Sequence, residues 1–98
     1  MHGGVAVVRA HGEFDLSTVQ LLHGALLDAG AGGSDVHLEM SGVTFLDAAG
    51  VGAILRARGE LARRRCTLIV VNPSDQVAQL LPLTDLPTVV TRDAAAGA

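Results

Sequence analysis

Apolar and polar positions along this chain change their period several times, and each change marks an element. Val5 to Ala10 is a short valine-rich run followed by polar His11-Gly12-Glu13, which predicts a strand ending in a loop. Beyond it Leu16, Val19, Leu22, Leu26 and Leu27 recur at the spacings of an amphipathic helix, and Asp15 or Ser17 offers the N-cap. Ala29-Gly30-Ala31-Gly32-Gly33 breaks that helix. Val36, Leu38 and Met40 then alternate with His37 and Glu39, the pattern of a strand with one buried face. Ser41-Gly42 reads as a turn, and Val43 to Leu46 leads to Asp47.

From Ala48 to about Arg65, the positions Val51, Ile54, Leu55, Arg58, Leu61 and Ala62 set a helical period. Gly50, Gly52 and Gly59 each weaken this helix by roughly 1 kcal/mol relative to alanine. Their presence suggests close packing, or accessible backbone at the helix start. Thr67 to Val71 is a continuous apolar run, which predicts a strand covered on both faces. Ser74 or Asp75 caps a short helix bearing Val77, Leu80 and Leu81, and Pro82 limits it. Thr88 to Thr91 predicts a last short strand. Alternating strands and helices define an α/β fold. One domain spans residues 1–98, with a packed core over about 4–92 and a tail at 93–98 expected to fray.

Composition narrows the functions open to such a domain. Hydrophobic residues make up 49% of the chain, yet Phe14 and Phe45 are its only aromatics, so the core is built from aliphatic side chains. That argues against aromatic stacking platforms for single-stranded nucleic acid. Five of the seven arginines (Arg56, Arg58, Arg63, Arg64, Arg65) cluster near the end of the long helix. Within a net charge of −3, they read as cations complementing a helix C-terminus rather than as a nucleic-acid patch. The single cysteine, Cys66, opens an apolar run and reads as a small core residue. No apolar run reaches the roughly 18 residues of a membrane span, and no signal segment opens the chain, so a cytoplasmic protein is expected.

Candidate chemistry is sparse. His2, His11, His23 and His37 have no two-ligand spacing, so no metal site is expected. No nucleophile elbow occurs, and the serines lie at caps and turns. Gly50-Val51-Gly52 opens a helix after a strand as a dinucleotide loop does. However, Leu55 stands where the third glycine belongs, so no cofactor is expected. Enzyme activity is not expected either. Glu13, Asp15 and Asp47 each follow a strand and precede a helix, at the sheet end where ligands usually bind. Helix capping alone accounts for Asp15 and Asp47.

Four segments in order resemble the STAS domains of bacterial anti-sigma-factor antagonists. His11-Gly12-Glu13-Phe14-Asp15 is similar to their "GELD" segment. The stretch from Glu39 through Asp47-Ala48-Ala49-Gly50 to Leu55 is similar to "DLSGVTFIDSSGLGALL". Thr67 to Ser74 resembles the following strand and turn, and Leu81-Pro82-Leu83-Thr84-Asp85-Leu86 resembles the closing "LxLTGL". The likeness covers most of the chain. It implies a mixed β-sheet flanked by helices, here lacking the usual strand before Val5. An uncovered sheet edge of that kind invites a homodimer.

The resemblance also implies a mode of action. In such domains, the serine before the glycine of "DSSG" is phosphorylated by a partner that is both kinase and anti-sigma factor, with a histidine-kinase-like fold. The unphosphorylated domain binds that partner and frees a sigma factor. A phosphate at a helix N-terminus would add about −1.5 to −2 charges to the docking surface. Here Ala49 occupies the acceptor position and Ala48 its neighbour, so that switch has no hydroxyl to act on. The docking residues implied are Gly12, Glu13 and Asp15 in the first loop, Asp47, Ala48, Ala49 and Gly50 in the second, and Val51, Ile54 and Leu55 beyond. A second reading is an accessory subunit of a transporter, bound to its ATPase, or a part of a stress-signalling assembly. Neither reading calls for nucleic acid or for insertion into a membrane.

Overall fold

The computed structural model describes residues 4–89. Strand β1 (Val5–Phe14) is followed by helix α1 (Val19–Ala29), strand β2 (Asp35–Leu46) and helix α2 (Ala48–Arg63). Strand β3 (Leu68–Val71), helix α3 (Asp75–Leu80), a 3-10 turn (Leu81–Leu83) and strand β4 (Thr88–Val89) complete the order. The strands lie side by side in chain order, and all three pairs are parallel. The α/β class is as expected, but the antiparallel pair that a mixed sheet requires does not occur among the described residues. Val90, Thr91 and the 93–98 tail lie outside them, as do residues 1–3 before β1.

Strand order determines where the core sits. Parallel neighbours need crossover connections, and right-handed crossovers that all step the same way place their helices on one face. Burial follows that rule. Val36, Leu38, Met40, Leu68 and Val70 pack with Leu22 and Leu26 of α1, Ile54, Ala57 and Leu61 of α2, and Val77 of α3. Each of the valine, leucine, isoleucine and methionine side chains contributes roughly 1.5–3 kcal/mol when fully buried. The opposite face is bare. Val5 and Val7 are 54% and 52% exposed there, and Ile69 and Val71 are only half-buried. The expectation that Thr67–Val71 is covered on both faces is therefore corrected: its apolar run reflects a central position in the sheet, with helices on one side only.

Two expected breaks are absorbed into strands. His11-Gly12-Glu13 continues β1, with Gly12 at φ +87°. Ser41-Gly42 does not turn the chain. The register passes from Arg9↔Glu39 to His11↔Gly42, and from Gly12↔Val43 to Glu13↔Phe45, so β2 carries one additional residue at each of two irregularities. A bulge of this kind bends a strand without ending it.

Helix starts follow side-chain chemistry. Asp47 caps α2, its Oδ1 accepting from the Gly50 N–H at 3.1 Å. Ser74, rather than Asp75, caps α3 by accepting from the Val77 N–H at 3.3 Å. Neither Asp15 nor Ser17 caps α1, which begins only at Val19 after Thr18. Leu16 consequently lies outside the helix and is 79% exposed.

Candidate partner-docking surface

Two of the four segments that carry the resemblance meet at the carboxyl ends of β1 and β2. Glu13 is registered with Phe45 and Phe14 with Leu46. The Asp47 N–H donates to the Phe14 carbonyl at 3.4 Å. The first loop is held by its own side chains. Asp15 Oδ1 accepts from the Ser17 N–H at 2.9 Å and from the Ser17 hydroxyl at 2.6 Å. The Thr18 hydroxyl accepts from the Asp15 N–H at 3.1 Å and donates to the Glu13 carbonyl at 3.1 Å. The Ser17 hydroxyl and amide hold the Asp15 carboxyl below its ordinary pKa. Asp15 thus shapes the loop instead of capping a helix.

The second loop leads into α2, and its residues differ in what they show to solvent. Ala48 is exposed, while Ala49, Asp47, Val51 and Gly52 are half-buried. Leu55 is 36% exposed. Gly50 is buried: a Cβ there would stand 2.4 Å from Leu46 Cδ1 and 3.0 Å from the Phe14 carbonyl oxygen. Ile54 is 2% exposed and belongs to the core. Of the ten residues implied for docking, these two are buried, because the inward face of α2 packs on the sheet. The surface available to a partner is Glu13, Ala48 and Leu55, with Gly12, Asp15, Asp47, Ala49 and Val51 partly accessible.

A feature the sequence reading missed lies beside this surface. Ala48, Val51 and Leu55 of α2 face Leu80, Leu83 and Thr84 across an apolar groove of about 310 Å³. Leu83 is 82% exposed. The signal was present in Leu81-Pro82-Leu83: a proline-bearing turn cannot hold a helical period, so its apolar residues need not face inward. Arg58 on α2 pairs with Asp85 just after the turn, which ties the groove's two walls together. That pair, and the Arg64 guanidinium donating to the Leu27 carbonyl at 3.4 Å, draw two of the clustered arginines into contacts within the fold. Cys66 is buried, as expected.

Among the described residues no group of three or more His, Cys, Asp or Glu is placed to hold a metal. His23 lies against Glu60, with 3.3 Å between Nε2 and Oε1. His11 and His37 line a shallow concavity of about 520 Å³ on the bare face of the sheet, away from the α2 groove. No helix among the described residues is long and apolar enough to cross a membrane.

The parallel sheet thus carries its helices on one face, with a glycine-tight loop from β2 into α2 beside the end of β1. The family model described as "Mlab, STAS domain" matches residues 1–91, and the chain belongs to that family. Among solved structures it is similar to the anti-sigma factor antagonist SpoIIAA in its unphosphorylated form, at 24% identity and a TM-score of 0.69. That match covers 95% of this chain and 86% of the other. A putative anti-sigma factor antagonist from Thermotoga maritima matches with a TM-score of 0.78 at 19% identity, over 95% and 85% of the two chains. SpoIIAA in its phosphorylated form, a Bacillus cell fate determinant, matches with a TM-score of 0.71 at 23% identity, over 95% and 88%. Identities at this level speak for the fold. Among curated proteins none matches significantly.

Proposed function

We propose that this STAS domain acts by docking, as an antagonist that binds an anti-sigma factor of histidine-kinase-like fold and frees a sigma factor. Its binding would lack the usual phosphorylation switch. The observation that carries this reading is the head of α2. Ala48 and Ala49 present methyl groups at the position where a phosphoacceptor is expected, beside the exposed groove formed with Leu83. Small side chains there let a partner backbone approach, and Val51, Leu55 and Leu83 offer apolar area to bury. Docking of this kind needs no reaction catalysed by this chain and no cofactor. A partner of this class also places the chain in the cytoplasm.

A second reading is favoured by one observation, the absence of a hydroxyl at both positions 48 and 49. A permanent subunit bound to a transporter ATPase has no need of a switch, and the family description itself names Mlab rather than an antagonist. An affinity experiment on the source cell's lysate separates the two. The native chain and an Ala49→Asp variant serve as parallel baits. An anti-sigma kinase captured by the first and lost with the second supports the antagonist. Capture of a transporter ATPase, or of no kinase, overturns that reading in favour of the subunit.

A further inference from the structure

Strand β1 ends the sheet, with β2 on one side and no strand on the other among the described residues. The Asp35 N–H donates to the Gly4 carbonyl at 2.9 Å, which fixes the direction of the polar groups along β1. Even-numbered residues turn their main-chain groups toward β2. Val5, Val7, Arg9 and His11 turn theirs to the free edge. Edges that must stay unpaired are blunted by proline, lysine or bulges. β1 contains neither proline nor lysine, and both register irregularities add their residue to β2 instead.

Two further features of this edge match a copy of itself. Arg9 and Glu13 are both exposed, four positions apart on the same face of β1. A two-fold axis runs a strand antiparallel to its own copy. With the axis at His11, Arg9 of each copy lies opposite Glu13 of the other, which gives two opposite-charge cross-strand pairs. Behind the edge, Val8, Ala10, Phe14, Leu21 and Ala25 line an apolar groove of about 170 Å³ between β1 and α1. Leu21 is 75% exposed there. This groove shares no residue with the one beside Leu83.

We propose that a second copy of this chain docks on the free edge of β1, antiparallel, joining two four-stranded sheets through the Arg9–Glu13 pairs and the Leu21 grooves. Sedimentation equilibrium on the native chain, on Arg9→Glu, on Glu13→Arg and on the double exchange tests it, with circular dichroism confirming that each variant is folded. The native chain is expected to dimerise. Each single exchange sets like charges opposite one another twice, and is expected to weaken the dimer about tenfold or more. The double exchange restores both pairs, and its dissociation constant should return to within about threefold of native. A native chain still monomeric at about 1 mM overturns the proposal. So does a dimer indifferent to the single exchanges, or one that the double exchange does not rescue.

Discussion

The Phe14 carbonyl oxygen and the α-carbon of Gly50 are packed so closely that a Cβ on Gly50 would come within 3.0 Å of that oxygen. The same Cβ would stand 2.4 Å from Leu46 Cδ1. The head of α2 is thus seated between the ends of β1 and β2 with no room for a side chain. Alanine normally stabilises a helix by about 1 kcal/mol over glycine, but overpacking a tight contact costs about 1–3 kcal/mol. The carbonyl is fixed by its strand, so the clash should prevail. Gly50→Ala is expected to lower stability in a urea titration. Gly59→Ala, where a Cβ meets nothing within 4 Å, should raise it.

Asp47 gives a cleaner measure of what the α2 cap contributes. Its carboxylate accepts from the Gly50 N–H, and the helix has no other acidic residue in its first turn. Asp47→Ala is expected to cost about 1 kcal/mol, and Asp47→Asn only a few tenths, because the amide oxygen still accepts. Thermal unfolding checks both. For a domain of this size, about 1 kcal/mol corresponds to roughly 4–8 °C in Tm.

How far these elements were legible depends on whether their cause is local. The α2 cap and the Ser74 cap could be read from sequence because both bonds span three residues. The start of α1 could not, since Asp15 serves Ser17 in a turn and leaves Leu16 outside the helix. Ser41-Gly42 looked like a turn because its residues are turn formers. Pairing with β1 holds it in the strand as a bulge, and that is a tertiary effect. The bare sheet face was likewise hidden, since Ile69 and Val71 read the same whether covered by helices or by neighbouring strands. In the candidate site, the loop residues and Ala49 were found through the resemblance, whereas Leu83 was missed because exposure in a 3-10 turn has no periodic signature.

Asp15 carries a pH signature. Its folded-state pKa lies below the ordinary carboxylate value, first because the Ser17 hydroxyl donates to it and then because the Ser17 amide does. A group with a depressed folded pKa supports the folded loop above its unfolded pKa, and loses that support as pH falls through the folded value. The Ser17 amide resonance should therefore titrate at a lower pH than an ordinary aspartate would give. Ser17→Ala should move the midpoint upward, toward the unperturbed value of about 3.9. An unchanged midpoint would show that the hydroxyl bond is not formed in solution.

The docking groove can be probed without disturbing the fold. Leu83 is 82% exposed, so Leu83→Asp should change stability by no more than about 0.5 kcal/mol. If the partner seats on this groove, that carboxylate is desolvated against Val51 and Leu55. Affinity for the captured partner should then fall at least about tenfold in a titration calorimetry experiment. Lys or Asp at the exposed position of Gln20 on α1, outside the groove, should leave affinity unchanged.

Restoring a hydroxyl tests whether the switch was lost only at the acceptor. Ala49 is half-buried in the first turn of α2, next to a cap whose N–H groups would receive a phosphate. A serine is only one oxygen larger than the alanine it replaces. Ala49→Ser, mixed with an anti-sigma kinase partner and ATP, is expected to gain one phosphate by intact mass, while the native chain gains none. Phosphorylation should then release the variant from the partner, because about −1.5 to −2 charges enter an apolar contact. A variant that binds the kinase but stays unmodified would mean that the partner, too, has left the switch behind. The alanines would then belong to a permanent complex.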